Sequence, residues 1–285
     1  MDLTEISVSN GTVVALLAEL AFVVILPIAL LVRWHRRSGN GWAAPVAGLI
    51  MFLVFSQMLE QILHYACLIS DNAISRAIWE NPWLYALYGG VAAGLFEETG
   101  RFMGFKYLLR RHTDRQTAIG YGLGHGGYEC LTVGGLMTLS YLTLSLLLRS
   151  DILPQVLEML PEDESVVVQD VLAQVASITP GTCIWGALER VIALTLHLSL
   201  SVLVFASVQQ PEHGNYYLLA IALHAVADLP AGCYQAGLLT GDGGLIAVEL
   251  MSLAVALVSA WLARRMWKTL PVEKKEEIPD EQTPD

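Results

Sequence analysis

Glu97-Glu98-Thr99-Gly100-Arg101 places two carboxylates and a guanidinium inside an otherwise apolar segment. A charged side chain at the centre of a bilayer costs at least ~3 kcal/mol unless it faces protein and finds partners. The stretch therefore predicts a helix whose polar side is turned into a bundle. Three later apolar segments each bring a histidine, His125, His197 and His224. Two of them carry a carboxylate one helical turn on, in His125-Gly126-Gly127-Tyr128-Glu129 and His224-Ala225-Val226-Ala227-Asp228. These residues form the candidate site.

The rest of the chain suits such a bundle. It has 285 residues, 54% hydrophobic and only 15% charged, with a mean hydropathy of +0.53, which places it among polytopic membrane proteins. Apolar windows of about twenty residues predict an all-α bundle of about seven transmembrane helices, at roughly 12–32, 43–69, 83–109, 116–148, 184–208, 215–238 and 244–267. The expected organisation is a single membrane-embedded helical domain over 1–270, with the core site in 83–238, followed by a disordered cytoplasmic tail over 271–285. Much of the net charge of -11 lies in that tail and in the stretch from Asp151 to Asp170. With no basic patch interleaved with aromatics and no phosphate-cradling glycine loop, nucleic acid and nucleotide are excluded as partners. The lipid bilayer is the expected environment, in a prokaryotic plasma membrane.

Basic residues in the short loops set the orientation. Arg33, Arg36 and Arg37 follow the first span, Lys106, Arg110, Arg111 and Arg115 the third, and Arg264, Arg265, Lys268, Lys274 and Lys275 the seventh. The N-terminus is therefore expected outside and the C-terminus in the cytoplasm. Met1-Asp2-Leu3-Thr4-Glu5 is acidic where a secretory signal is basic, so the first apolar run reads as a retained helix. Cys67, Cys130, Cys183 and Cys233 have no paired spacing, which removes the usual zinc-finger and redox readings. A disulfide between Cys67 and Cys183, both near the predicted outer surface, is left open.

Other features surround this core. Gln57, Glu60, Gln61 and His64 recur at i, i+3, i+4 and i+7, a polar stripe that faces the bundle as interhelical glue or as support for the site. Glu189 with Arg190 reads as a buried ion pair, and Arg190, His197 and Ser201 share a stripe. Gly120, Gly122 and Gly124 alternate immediately before His125 and are expected to weaken the helix there, as is tolerated where protein or a watery cavity covers the backbone. The one long loop, about 149–183, carries apolar residues at helical spacing on either side of Pro161: Ile152, Leu153, Val156, Leu157 and Leu160, then Val167, Val168, Val171, Leu172 and Val175. It predicts two amphipathic helices on the outer membrane surface.

Depth ties the site together. Counted from the predicted cytoplasmic ends, Glu97, Glu98, His125, His197 and His224 all lie about nine to eleven residues in, roughly 13–17 Å at 1.5 Å per residue. The i, i+4 pairs Glu97/Arg101, His125/Glu129 and His224/Asp228 each share a helical face. Such a cavity can hydrolyse a peptide bond if a glutamate deprotonates water while histidines polarise the carbonyl and shuttle the proton. A metal version, with zinc as the candidate ion, takes His125, Glu129, His224 and Asp228 as ligands; no HExxH demands it. A proton- or ion-coupled transporter is the second reading, against which stands the lack of an internal repeat. A non-catalytic membrane scaffold is the third.

At Glu97-Glu98-Thr99-Gly100-Arg101, His125-Gly126-Gly127-Tyr128-Glu129, His197 and His224-Ala225-Val226-Ala227-Asp228 the chain resembles the YhfC-like intramembrane peptidases. That family resembles a distant branch of the superfamily holding the type II CAAX prenyl endopeptidases, the bacteriocin-processing membrane proteases, the PrsW proteases and the scaffold subunit of gamma-secretase. The resemblance implies an intramembrane endopeptidase acting on a membrane protein or peptide. The paired glutamates would supply the water-activating base, Glu97 ahead of Glu98. His125 and His224 would hold the water and scissile carbonyl, Asp228 would assist at the oxyanion, and His197 would be the fifth-span histidine of this branch. In the prenyl endopeptidases three residues separate the second glutamate from the arginine; here only Thr99 and Gly100 intervene, which leaves the choice of base open.

Overall fold

The computed structural model describes residues 8–150, 152–159 and 161–272. The acidic N-terminal pentapeptide and residues 273–285 of the expected tail lie outside them, as do the side chains of Val156, Leu157 and Leu160. The regular elements among the described residues are all helices. Helix α1 spans Asn10–Ser38, α2 Ala43–Ile69, α3 Ala73–Glu80 and α4 Pro82–Met103, which runs on into a π-helical turn, Gly104–Leu108. Next come α5, Gln116–Leu148, the two short helices α6, Leu153–Glu158, and α7, Glu162–Ala176, and then α8, Pro180–Gln209. Helices α9, Asn215–Gln235, and α10, Gly241–Trp267, complete the chain.

Among the described residues six helices are long and apolar enough to cross a membrane: α1, α2, α5, α8, α10 and α9 together with the 3-10 turn before it. Helix α4 misses that composition because Glu97, Glu98 and Arg101 lie within it. Its outer face nonetheless behaves like the others. Leu84, Leu87, Val91 and Leu95, spaced three or four apart, are exposed, while Glu97, Glu98 and Arg101 are buried. An exposed apolar stripe on a helix with a charged inner face is what lipid contact requires, so α4 is the seventh span of the bundle.

Glycine decides how close these helices come. On α5, Gly120 and Gly124 face one side and Gly122 and Gly126 another. A Cβ on Gly124 would lie 1.9 Å from the Pro45 carbonyl oxygen of α2, and one on Gly126 3.0 Å from His197 Cβ of α8. On α4, a Cβ on Gly90 would meet the Ala225 carbonyl of α9 at 2.5 Å and one on Gly94 the Ile221 carbonyl at 2.7 Å. Small residues permit this backbone-to-backbone approach without a driving force from water. The expectation that these glycines loosen the helix at His125 is corrected: α5 is regular from Gln116 to Glu129, and the irregularity comes one residue later as a π-helical turn, Cys130–Gly135. Close packing against α2 and α8 holds the glycine-rich turns in helical form. The four cysteines are free, Cys67 and Cys183 included.

The basic segments gather at one end. Arg115 donates its backbone N–H to Pro271 O at 2.9 Å and its guanidinium to Trp267 O at 3.2 Å, and Gly39–Gly41 share a cavity with Arg111 and Thr117. At the opposite end α6 and α7 flank Pro161 as expected. Leu153, Leu172 and Val175 bury with Val8 and Leu148 into a small apolar cluster beside the start of α1.

Two outcomes follow from this architecture. A reporter fused after Asp285 is expected to be active on the cytoplasmic side only, since the positive-inside rule places the basic end there; protease access to it on intact cells would reverse the bundle. In detergent, Gly124→Ala is expected to lose about 1–3 kcal/mol to overpacking, read as a lowered Tm. Gly89→Ala, whose Cβ meets nothing within 4 Å, is expected to be neutral or slightly stabilising.

Candidate active site

Four helices deliver the polar residues to one place. Glu97, Glu98 and Arg101 come from α4, His125 and Glu129 from α5, Arg190 and His197 from α8, and His224 and Asp228 from α9. The Gly90/Gly94 contact sets α4 against α9, and Gly126 sets His125 beside His197. Glu98 and Arg101 are fully buried, and His125, His197, His224 and Glu97 nearly so.

The centre of the cluster is the Glu97 carboxylate. Its Oε2 accepts from His125 Nε2 at 2.9 Å and lies 3.9 Å from His197 Nδ1 and 3.8 Å from His224 Nε2. The rings of His125 and His197 are 4.9 Å apart, and those of His197 and His224 5.3 Å. Three imidazoles from three helices thus surround one oxygen.

Each ring is oriented by a second carboxylate or by an aromatic ring. Glu98 Oε1 accepts from His224 Nδ1 at 2.8 Å and from Arg101, its i+3 neighbour. His224 Nδ1 bonds Glu98, and its Nε2 faces Glu97 Oε2 at 3.8 Å and Asp228 Oδ2 at 3.4 Å, two carboxylate oxygens that accept a proton carried there. His197 Nε2 donates to Glu129, while Arg101 donates to His197 Nδ1 at 3.0 Å. Phe52 of α2 holds the His125 ring edge-on at a centroid distance of 4.9 Å. Glu129 in turn accepts from Arg190 at 3.4 Å, and Arg190 also pairs with Glu189. A buried charge left without partners costs several kcal/mol, and here every one of these charges has at least one.

All eight residues singled out from the sequence belong to this network, though not in the metal set drawn there. Among the described residues, the three ligating side chains whose donor atoms lie within 4.8 Å of one another are Glu97, His125 and His197. Of the set His125, Glu129, His224 and Asp228, only His125 is shared. Spacing at i, i+4 aligns Glu129 with His125 on α5, but Glu129 turns to His197 and Arg190 on the neighbouring helix. Asp228 is half-exposed, at the rim of a cavity of about 260 Å³ lined also by His64, Tyr88 and Gly89. Ser201 spends its hydroxyl on the His197 carbonyl of its own helix at 2.7 Å and stays out of the site.

Two imidazoles and a carboxylate are a donor set found at catalytic zinc centres. The Glu129 carboxylate behind His197 matches the outer-shell partners that fix ligand histidines, whereas His125 Nδ1 has no hydrogen-bond partner among the described residues. One adjustment is needed, because Arg101 occupies the His197 Nδ1 lone pair that an ion would take. The residues fit a divalent metal on these terms.

Sequence reading passed over two acidic residues. Glu19 in α1 and Glu249 in α10 are charges set away from the helix ends in apolar helices, and both line a second cavity that Arg190 also borders. Their isolation within the spans was the available signal.

No solved structure matches the chain. It is 29% identical over 258 residues, 90% of this chain and 97% of the relative, to a protein described as "Uncharacterized membrane protein YhfC" from Bacillus subtilis (strain 168). Residues 22–251 match the family model described as "YhfC intramembrane metalloprotease" and contain every residue of the cluster; the chain belongs to the YhfC family of intramembrane metalloproteases.

Proposed function

We propose that this chain cleaves peptide bonds of membrane proteins or peptides within the bilayer, using a divalent metal, with zinc the best match to the donors. The observation that supports this most is the convergence of His125, His197 and His224 on Glu97 Oε2 at a buried point. Glu97, His125 and His197 are the proposed ligands. An ion held there supplies an acidified water and an electrophile for the scissile carbonyl.

The protein's own groups then do the proton work. His224 Nε2 takes the proton released as water attacks and passes it to the leaving amine, while Glu98 fixes the ring and stabilises its charged form. Arg101 neutralises Glu98, so that this support costs no unpaired charge. Glu129 and Arg190 orient His197. Asp228, at the cavity rim, bounds the position where a peptide carbonyl enters and helps aim His224; as a carboxylate it donates a hydrogen bond only when protonated. The cavity of about 260 Å³ beside it admits a short extended segment, and burial of the other groups keeps bulk water away.

A second reading, a glutamic-type peptidase, has Glu97 as base for a water held by the histidines, and rests on the direct 2.9 Å hydrogen bond between Glu97 and His125. One experiment separates the two. Purified protein is assayed for metal and for cleavage of co-reconstituted membrane substrates, in wild type and in Glu97→Gln, His125→Ala, His197→Ala and His224→Ala. The expected result is about one equivalent of metal in wild type, lost in the first three variants and kept in His224→Ala. Cleavage is expected to fall at least ~100-fold in all four with Tm retained. Full activity without metal would favour the glutamate reading, no cleavage by wild type would favour the scaffold alternative, and full cleavage in all four variants would overturn this site as the catalytic one.

A further inference from the structure

We propose that the cavity beneath α7 binds an alkyl cation, an ammonium or guanidinium group on an apolar stem, with Glu249 and Glu19 as its counter-charges. This cavity, about 340 Å³, lies between α1, α5, α7, α8 and α10, within the size range of small-molecule sites. Three carboxylates line it, Glu19, Glu189 and Glu249, against one guanidinium, Arg190. That guanidinium is already committed to Glu189 and Glu129.

Glu249 is the observation that points to a ligand. It is only 5% exposed, yet its Oε2 has no hydrogen-bond partner among the described residues. A buried carboxyl oxygen without a partner costs free energy that a cation entering the cavity would recover. The ligand is not a compact metal ion, because among the described residues only Glu97, His125 and His197 bring three donors within 4.8 Å of one another. Carboxylates contributed by three different helices around a cavity of about 340 Å³ suit an organic cation. Leu16, Met137 and Leu245 supply apolar walls for its stem, and Tyr141 and Trp185 supply aromatic faces that attract a cationic head.

The cavity also has a place relative to the proposed chemistry. Glu19 and Glu249 lie nine and eight residues from the first residues of α1 and α10, roughly 12–14 Å below the outer end at 1.5 Å per residue. At the inner side Arg190 reaches Glu129, which holds His197. A lysine or arginine in the outer part of a membrane polypeptide would therefore be held beside the cleavage site. That identification of the source rests on the peptidase reading; the cation site itself does not.

Direct binding keeps the two separate. Full-length protein in detergent is titrated with n-hexylguanidinium and with the neutral n-hexylurea, by calorimetry. The expected result is saturable binding of the guanidinium only, at least tenfold weaker in Glu249→Gln and in Glu19→Gln, with metal content unchanged. If Glu249→Gln does not fold, Glu249→Asp and Glu19→Gln carry the test. Competition by a transmembrane peptide bearing one outer lysine, but not by its norleucine counterpart, supports the site with a polypeptide as source. Absence of that competition supports it with a free amine as source. Equal binding of the guanidinium and the urea, or unchanged affinity in both glutamate variants, overturns the proposal.

Discussion

The bundle encloses Glu97, Glu98 and Glu129 with two guanidinium and three imidazole side chains that water does not reach freely, and the need to pair them shapes the rest of the structure. No helix satisfies its own charges alone. Glu97 depends on α5, α8 and α9, Glu98 on His224 of α9 as well as on Arg101, and Glu129 on His197 and Arg190 of α8. Removal of one partner strands another charge in a low-dielectric interior, where the cost is several kcal/mol. The glycines follow from the same requirement. Side chains as short as glutamate and histidine meet across helices only when backbones come close, which Gly90, Gly94 and Gly126 permit.

The same pairing that stabilises the bundle also prepares it for chemistry. Glu98 and Glu129 each bond one nitrogen of a histidine and thereby decide what the other nitrogen presents to Glu97. A set of rings held by second partners and oriented around one oxygen needs little rearrangement to hold an ion or a water. Arg101 couples the two halves, since it touches both Glu98 and His197. The π-helical turn directly after Glu129 shifts the register of α5 at the point where its polar face ends, a common placement for such turns near functional sites.

Much of this was legible in the sequence because a charge inside an apolar span is costly enough to need a reason. That rule located Glu97, Glu98, Arg101, His125, Glu129, His197, His224 and Asp228, and helix periodicity put the i, i+4 pairs on common faces. Spans and loop helices followed from apolar run lengths and from Pro161. Pairing between helices was not legible. Whether Glu129 joins His125 on its own helix or His197 on the next depends on helix rotation and interaxial distance, which one sequence does not encode in its spacing. The proposed metal set moved for that reason. The glycine pattern misled for a related one: intrinsic helix propensity is a weak prior that close packing against α2 and α8 overrides. Glu19 and Glu249 were available to the same rule that found the site, but neither has a histidine within a few helical turns in sequence.

The central claim is that Glu97, His125 and His197 form the metal centre of an intramembrane peptidase. X-ray absorption at the metal edge of purified protein tests it most directly. The account predicts a low-coordinate centre of nitrogen and oxygen ligands with outer-shell scattering from two imidazoles, reduced to one in His197→Ala if that variant still binds. A centre with sulfur ligands, or one unchanged by loss of either His125 or His197, would contradict it.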